Sequence, residues 1–443
     1  MRTFINFNEQ GVLMWLAKQY QDCRNLIFRG ISVPDDLEPL RDFDPSEADP
    51  IPQGLNPADI EELWDYAEDV FRSGMHPMVS VCLRRGGDVL LNRSIGFADG
   101  AEHTQARIAS LQTPVCLFSA SKVISAMLVH KLAEDGLIDL LNPVCYYIPA
   151  FAAAGKSKIT IFQLLAHRGG VPGFPDDVPL DSLYDHDAAV AVVCQQPALD
   201  KDGRVMAYHA ITSGFIFAEL IKVVTGKTIS EYLDEIVRKP MGMKYFTFGL
   251  AAEQRKLVAK NYATGLPNPK FIERMLTKVL GVSVKEVIEI SNTDEYLGAV
   301  VASGNLYATA EEAGRFFQML LQGGVWEGKT IFSALTVNRA TREVGKAQFD
   351  KSLNIPMRYS PGLMLGGQPV GMYGRNTHHA FGHLGFSNIF CWADPERDIS
   401  VSILTSGKPV IGNHFVGLLK LINGISSKCE PRVDMEEIYS QAY

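Results

Sequence analysis

The stretch Phe118-Ser119-Ala120-Ser121-Lys122 opens a strongly periodic segment that continues to Leu132 and is followed by Gly136. Glycine commonly follows the last residue of a helix, so this pattern predicts a helix that begins near Ser119. Lys122 would then lie one helical turn from Ser119, on the same face of the helix. Ser119 is the only serine in the chain with a lysine three residues later.

This spacing is typical of an activated serine nucleophile. A serine hydroxyl reacts poorly until a neighbouring base removes its proton. A lysine acts as that base only if its pKa falls from about 10.4 toward neutrality, which burial and the positive end of a helix dipole both favour. The alternative is structural, with Ser119 as an ordinary N-cap and Lys122 as a solvated surface residue.

Two further motifs bear on this choice. Tyr208 lies in the stretch Ala207-Tyr208-His209-Ala210-Ile211-Thr212-Ser213-Gly214, which precedes a predicted helix over residues 215–224. The stretch Phe381-Gly382-His383-Leu384-Gly385-Phe386 precedes a predicted C-terminal hairpin. Its two glycines would let a substrate approach the edge of a sheet closely.

These three blocks, in this order, resemble the serine β-lactamase and penicillin-binding-protein superfamily, and most closely the class C β-lactamase-related esterases often called family VIII esterases. The stretches 164–172, 303–310 and 392–395 add to the likeness. The resemblance covers roughly residues 57–425 and leaves the first 55 residues unmatched.

The resemblance implies a set of roles. Ser119 would be the nucleophile, Lys122 and Tyr208 the general base and acid, and the backbone N–H groups of Ser119 and Phe386 the oxyanion hole. His383-Leu384-Gly385 stands where the family has K-T-G. We therefore expect four residues to line the substrate site: His209, His383, Leu384 and Gly385. Neither a metal nor another cofactor is expected.

Departures from the family motifs favour a carboxylic ester as substrate. Ala210 replaces the asparagine of the second motif, and His383 and Leu384 replace the lysine and hydroxyl residue of the third. A substrate carboxylate would lose its permanent cation, which weakens recognition of β-lactams and peptides. We expect a serine hydrolase acting on a short-chain ester. The alternatives are a β-lactamase or D-alanyl peptidase, a transacylase using the same residues, and a non-catalytic binding protein on this fold.

The order of predicted elements indicates an α+β fold of the β-lactamase/transpeptidase type. A helix is predicted to begin at Asn56 and Pro57. Two strands are predicted at 78–83 and 88–91, joined by the turn Gly86-Gly87. A hairpin is predicted at 387–392 and 399–404, followed by a last helix at 414–422. The terminal strands would pair into one antiparallel sheet flanked by the terminal helices, with a mostly helical lobe inserted.

The predicted domain organisation has three parts. Residues 1–55 form an N-terminal extension, with a helix at 11–20 and an extended, Pro-rich acidic connector over 34–57. Residues 56–425 form the catalytic domain, with an α/β lobe at about 56–118 and 330–425 and a helical lobe at about 119–329. Residues 426–443 form a tail.

Composition limits the class of protein and its partners. The net charge of −8 argues against a nucleic-acid partner, and no apolar run reaches the length of a membrane span. Seven cysteines without a C-x-x-C pair, together with an N-terminus that lacks the pattern of an export signal, predict a cytoplasmic protein. The expected partner is a small-molecule ester. The extension 1–55 is a candidate for capping the site or for assembling a homo-oligomer.

Overall fold

Strands from both ends of the chain form one antiparallel sheet in the computed structural model, which describes residues 29–101, 106–175, 178 and 180–433. The sheet has 8 strands: β1 (Arg41–Phe43), β2 (Met78–Arg85), β3 (Asp88–Asp99), β4 (Arg107–Ile108), β5 (Met364–Leu365), β6 (Phe381–Gly385), β7 (Ile389–Asp394) and β8 (Ile399–Thr405). Their spatial order is β1-β3-β2-β8-β7-β6-β5, with β4 paired to β3. The helix predicted at 11–20 lies outside the described residues.

The pairing of β2 with β8 joins the N-terminal and C-terminal parts of the chain. Val401 lies opposite Leu83, and Thr405 lies opposite Val79. β2 reaches β3 through the predicted turn at Gly86 and Gly87, whose φ angles of 61° and 92° favour glycine. This pairing confirms that the terminal segments share one sheet.

The helices make up most of the segment between these strands. They are α1 (Pro57–Arg72), α2 (Ser121–Glu134), α3 (Ile161–Leu165), α4 (His186–Gln195), α5 (Thr212–Thr225), α6 (Ile229–Leu233), α7 (Ala252–Arg255), α8 (Lys270–Leu280), α9 (Val284–Ile290), α10 (Asp294–Gly298), α11 (Ala310–Leu321), α12 (Ala334–Thr341) and α13 (His414–Lys428). Shorter strands outside the main sheet lie at Val115–Cys116, Thr247–Phe248, Leu306–Ala308, Val325–Trp326, Lys329–Thr330, Gln348–Phe349, Pro356–Met357, Val370–Gly371 and Gly374–Arg375.

The sheet is buried on both faces. α1 and α13 pack against one face, where Leu63, Val81 and Leu421 belong to a common apolar core. α11 covers part of the other face, where the Ser400 hydroxyl donates to the carbonyl of Gly314 at 2.9 Å. α2 is buried along nearly its whole length, as expected of a helix that is apolar on all sides. The predicted α+β architecture, with its helical lobe, is therefore confirmed.

The predicted extended connector was wrong in its main feature, because this segment packs onto the sheet. β1 is an edge strand paired to β3, and Leu37, Leu40 and Leu55 are buried. The Glu47 carboxylate accepts hydrogen bonds from Arg93 on β3. Burial of the apolar side chains spaced between the prolines favours packing of this segment onto the sheet. The proposed boundary at 425 also falls inside α13, which continues to Lys428.

A buried ion pair between the end of β7 and the β7–β8 turn yields a stability prediction. Arg397 donates to the Asp394 carboxylate at 2.8 Å, and both side chains are almost fully buried. Arg397→Met leaves a buried carboxylate unpaired and should lower the free energy of unfolding by about 3–5 kcal/mol in urea denaturation. The control Lys285→Met removes an exposed ion pair and should cost about 0.5 kcal/mol or less. Equal losses for the two variants would contradict the prediction.

Candidate active site

Ser119 lies on a tight turn in front of the most buried helix. It occupies the 3₁₀ turn Phe118–Ala120, which follows the short strand Val115–Cys116 and leads into α2. Phe118 has φ of 46°, a left-handed conformation that is rare outside glycine and usually reflects a local requirement. Phe118 and Ala120 are buried, whereas Ser119 is partly exposed. The turn therefore presents the Ser119 hydroxyl to a substrate.

Lys122 is buried beside Ser119 without a carboxylate among its hydrogen-bond partners. Its Nζ lies 3.2 Å from Ser119 Oγ, donates to the carbonyl of Ser303 at 3.0 Å, and donates to the carbonyl of Ala210. Burial holds the pKa of Lys122 well below its usual range. A neutral amine has two N–H groups and one lone pair. In the neutral form the two carbonyls would accept both N–H groups, which would leave the lone pair facing Ser119.

Tyr208 completes the arrangement around Ser119. The Lys122 Nζ lies 4.9 Å from the centroid of the Tyr208 ring. Burial raises the pKa of Tyr208, and this effect outweighs the opposing effect of a hydrogen bond between the Tyr208 and Ser119 side chains. The phenol is therefore protonated at neutral pH, whereas burial shifts Lys122 toward its unprotonated form.

Asp350 fixes the backbone that carries Tyr208. Its Oδ1 accepts the N–H of Tyr208 at 3.1 Å and the N–H groups of Ser352 and Leu353 at 2.8 and 2.9 Å. Its Oδ2 accepts the hydroxyl of Tyr359 at 3.2 Å. The sequence analysis missed this residue, because a single aspartate 142 residues away carries no local signal of such a contact.

Three buried histidines form the wall behind Tyr208. His209 Nε2 accepts the N–H of Val171 at 3.2 Å, and His167 Nδ1 accepts the N–H of His209 at 3.2 Å. His383 Nδ1 lies 2.6 Å from the carbonyl of Leu384. Burial lowers the pKa of His209 and of His383 to about 3 and that of His167 well below its usual range. All three are neutral, so His383 does not supply the permanent cation of a K-T-G lysine.

Strand β6 brings Phe386 close to Ser119. A Cβ on Gly385 would lie 2.4 Å from the carbonyl oxygen of Leu117, so only glycine permits this approach. Phe386 follows, and its ring centroid lies 5.5 Å from that of Phe118. Ser119 and Phe386, the expected oxyanion residues, line the same cavity.

The other expected lining residues divide between two positions. His383 is fully buried, and its ring centroid lies 5.9 Å from that of Tyr208. Leu384 is half-buried and packs against a small apolar cluster that contains Tyr208 and Met364. Neither residue, nor His209, lines the described cavity beside Ser119. These three residues lie on the Tyr208 side of Ser119 and outside this cavity, and their role in lining the substrate site stays a prediction.

Neither histidine-rich part of the described chain presents an open set of metal ligands. His378 and His379 lie in the turn before β6, and Arg358 donates toward His378 Nε2 at 3.0 Å. His186, Asp187 and Glu219 lie together, but the Lys222 ammonium already bonds Asp187 at 2.6 Å and lies 3.7 Å from Glu219. A lysine thus supplies the positive charge beside these carboxylates.

Comparison with known proteins now assigns the family. The family model described as Beta-lactamase matches residues 67–417, which is most of the chain. The chain belongs to the beta-lactamase family. This beta-lactamase-family protein is an enzyme, a hydrolase on the serine β-lactamase fold, and the predicted resemblance is confirmed.

Three relatives illustrate the likeness. The Esterase/beta-lactamase LipL of Mycobacterium tuberculosis is 27% identical over 341 residues, covering 71% of this chain and 76% of the relative. A penicillin-binding protein homolog from Caulobacter crescentus has a TM-score of 0.74 at 25% identity, covering 85% of this chain and 99% of its own. A family VIII carboxylesterase has a TM-score of 0.72 at 26% identity with the same coverage, 85% and 99%.

Among the helices of the described residues, none is both long and apolar enough to cross a bilayer.

The depressed pKa of Lys122 predicts how stability changes with pH. An unfolded lysine keeps a pKa near 10.4, so between the folded and unfolded values the unfolded chain binds one more proton. Stability contributed by this group therefore rises by about 1.4 kcal/mol per pH unit in that window and becomes flat below the folded pKa. Lys122→Met should remove this slope, as measured by urea denaturation from pH 6 to 9. The exposed control Lys285→Met should keep it. Parallel curves for wild type and Lys122→Met would show that Lys122 is charged in the folded protein.

The close approach at Gly385 predicts a steric penalty. Gly385→Ala places a methyl group against Leu117 and should lower the free energy of unfolding by about 1–3 kcal/mol, as measured by chemical denaturation. The control Gly173→Ala places its Cβ 4.0 Å from the nearest atom and should change stability little. Equal stability of the two variants would mean that β6 moves away from the Ser119 turn at no cost.

Proposed function

We propose that this enzyme hydrolyses short-chain carboxylic esters through an acyl-enzyme on Ser119. The observation that carries the proposal is the placement of Lys122 Nζ, 3.2 Å from Ser119 Oγ with its N–H groups directed to two carbonyls. A buried amine in this position is suited to remove the proton of the serine hydroxyl.

The acylation step follows from this geometry. Lys122 accepts the proton of Ser119 as Oγ bonds to the ester carbonyl carbon. The backbone N–H groups of Ser119 and Phe386 are the proposed donors to the oxyanion. Collapse of the tetrahedral intermediate breaks the bond to the alcohol oxygen, which takes a proton from Tyr208 and Lys122 as it leaves.

Deacylation reverses the proton path. Water gives one proton to the Lys122–Tyr208 pair and adds its oxygen to the acyl carbonyl. The bond to Ser119 Oγ then breaks, Oγ recovers the proton, and the carboxylic acid leaves. Every proton and bond is accounted for by the side chains, water and the ester, so the proposal calls for no cofactor.

The local charges favour an ester over a β-lactam or a peptide. His383, in the position of the K-T-G lysine, is neutral because burial lowers its pKa to about 3. Leu384 offers no hydroxyl and packs into an apolar cluster. A substrate carboxylate would find no fixed cation here, whereas a neutral ester needs none. The names of two relatives, an esterase/beta-lactamase and a carboxylesterase, support the same choice.

The proposal is tested with p-nitrophenyl acetate and butanoate, with nitrocefin in parallel. Wild type should turn over both esters and cleave nitrocefin slowly, and Ser119→Ala should lower kcat by at least about 10³-fold. Tyr208→Phe should lower kcat by about 10²-fold or more for ethyl butanoate, whose leaving alkoxide needs a proton, and by less for the p-nitrophenyl esters, whose phenolate leaves without one. A mass increase of one butanoyl group on Ser119 would identify the intermediate.

Ser110→Ala is the matched control, since it removes a hydroxyl nine residues earlier that is 3.4 Å from Thr113 Oγ1. It should keep the activity of wild type. Unchanged ester turnover in Ser119→Ala would refute Ser119 as nucleophile, and faster turnover of nitrocefin than of either ester would assign the enzyme to β-lactams.

A further inference from the structure

An apolar cavity of about 110 Å³ lies beside Ser119. Ser119, Tyr208 and Phe386 line it together with a group of aliphatic side chains. These aliphatic side chains include Leu183, Leu280, Val282, Val287, Ile290 and Val301. No residue that lines it within the described part of the chain carries a charged side chain. The cavity therefore suits an uncharged, apolar group attached to the reacting carbonyl.

Helices α8 and α9 supply one side of this cavity. They are joined at Gly281, and Leu280, Val282, Val287 and Ile290 come from this helix pair. No residue of α8 is fully buried, so its apolar face covers the cavity without entering the core. The Glu273 carboxylate accepts the N–H of Val284 at 3.2 Å and ties the two helices together.

We propose that this cavity holds the acyl group of the ester and that Val287 helps to set its length. The inference rests on the function proposed above. The alcohol leaves in the first step, whereas the acyl group stays bonded to Ser119 until water releases it. A cavity next to Ser119 is therefore occupied by the acyl group through the whole lifetime of the intermediate. A charged acyl group would be desolvated there without a partner, which is costly.

The volume sets the size of the acyl group. An apolar cavity of about 150 Å³ accommodates benzene, with six carbons. By proportion, the cavity of about 110 Å³ should accommodate roughly four carbons beyond the carbonyl. The preferred substrates are then butanoate and pentanoate esters, and chains longer than these must displace the α8–α9 pair or remain in water.

Val287 and Val284 provide a matched pair on α9. Val287 lines the cavity, whereas Val284, one turn earlier, is buried but does not line it. Both are valines on the same short helix, so alanine removes the same two methyl groups from each. Only the change at Val287 should alter the space beside Ser119.

The experiment measures kcat/KM for p-nitrophenyl esters from acetate to decanoate in wild type and three variants. In wild type, kcat/KM should rise about fourfold per added methylene up to pentanoate and then fall. Val287→Phe should fill the cavity and reduce the butanoate-to-acetate ratio from about 15-fold to near unity, while acetate is still hydrolysed. Val287→Ala should move the optimum to chains one or two carbons longer, and Val284→Ala should leave the profile unchanged.

The outcomes separate this inference from the proposed function. Ester turnover by wild type with a profile that neither Val287 variant alters would overturn the cavity assignment alone. The cavity assignment would also be overturned if the Val287 variants kept the acyl-chain profile of wild type but altered the ratio of 2-naphthyl acetate to phenyl acetate turnover. That result would mean that the cavity holds the alcohol group of the ester. Absence of any ester turnover by wild type would overturn both. If Val287→Phe fails to fold, the Val287→Ala and Val284→Ala pair still decides the question.

Discussion

The proposed chemistry depends on a lysine that is buried without a carboxylate among its hydrogen-bond partners. Lys122 is buried against the carbonyls of Ala210 and Ser303, and burial is the cause of its lowered pKa. A nearby carboxylate would restore the charge and make the amine useless as a base. The two carbonyl oxygens accept hydrogen bonds from the buried amine, so its N–H groups are not left unsatisfied. A carbonyl stabilises the charged ammonium form less than a carboxylate would.

Such a site needs three distant parts of the chain to be held rigidly. The two carbonyls lie 88 and 181 residues from Lys122 in the sequence, and Asp350 holds Tyr208 from 142 residues away. The antiparallel sheet provides the common frame, since β2 and β8 join the two ends of the chain and β6 brings Phe386 toward the Ser119 turn. The stability of the sheet and the geometry of the site are therefore linked, since β6 belongs to the sheet and also contacts the Ser119 turn at Gly385.

The sequence was sufficient to predict what depends on local spacing. The helix after Ser119, the hairpins at Gly86-Gly87 and at 395–398, and the α+β architecture follow from periodicity, turn residues and ordered motifs. It was not sufficient for contacts made by backbone atoms or by single distant residues. The carbonyl of Ser303 and the carboxylate of Asp350 carry no pattern of their own. The prediction of an extended Pro-rich connector was wrong for a related reason. Its few leucines favour a packed segment only where a distant sheet edge is present to bury them.

The neutral His383 and the uncharged lining of the cavity beside Ser119 both disfavour a charged substrate. The neutral His383 leaves the position of the K-T-G lysine without a fixed cation, and the described residues that line the cavity beside Ser119 are uncharged. A charged substrate would lose hydration at both places and gain no ion pair at either. The burial that disfavours a charged acyl group beside Ser119 also lowers the pKa of the Lys122 amine, because both effects are costs of desolvating a charge. The proposed substrate preference and the proposed activation of Ser119 would thus arise from the same desolvation.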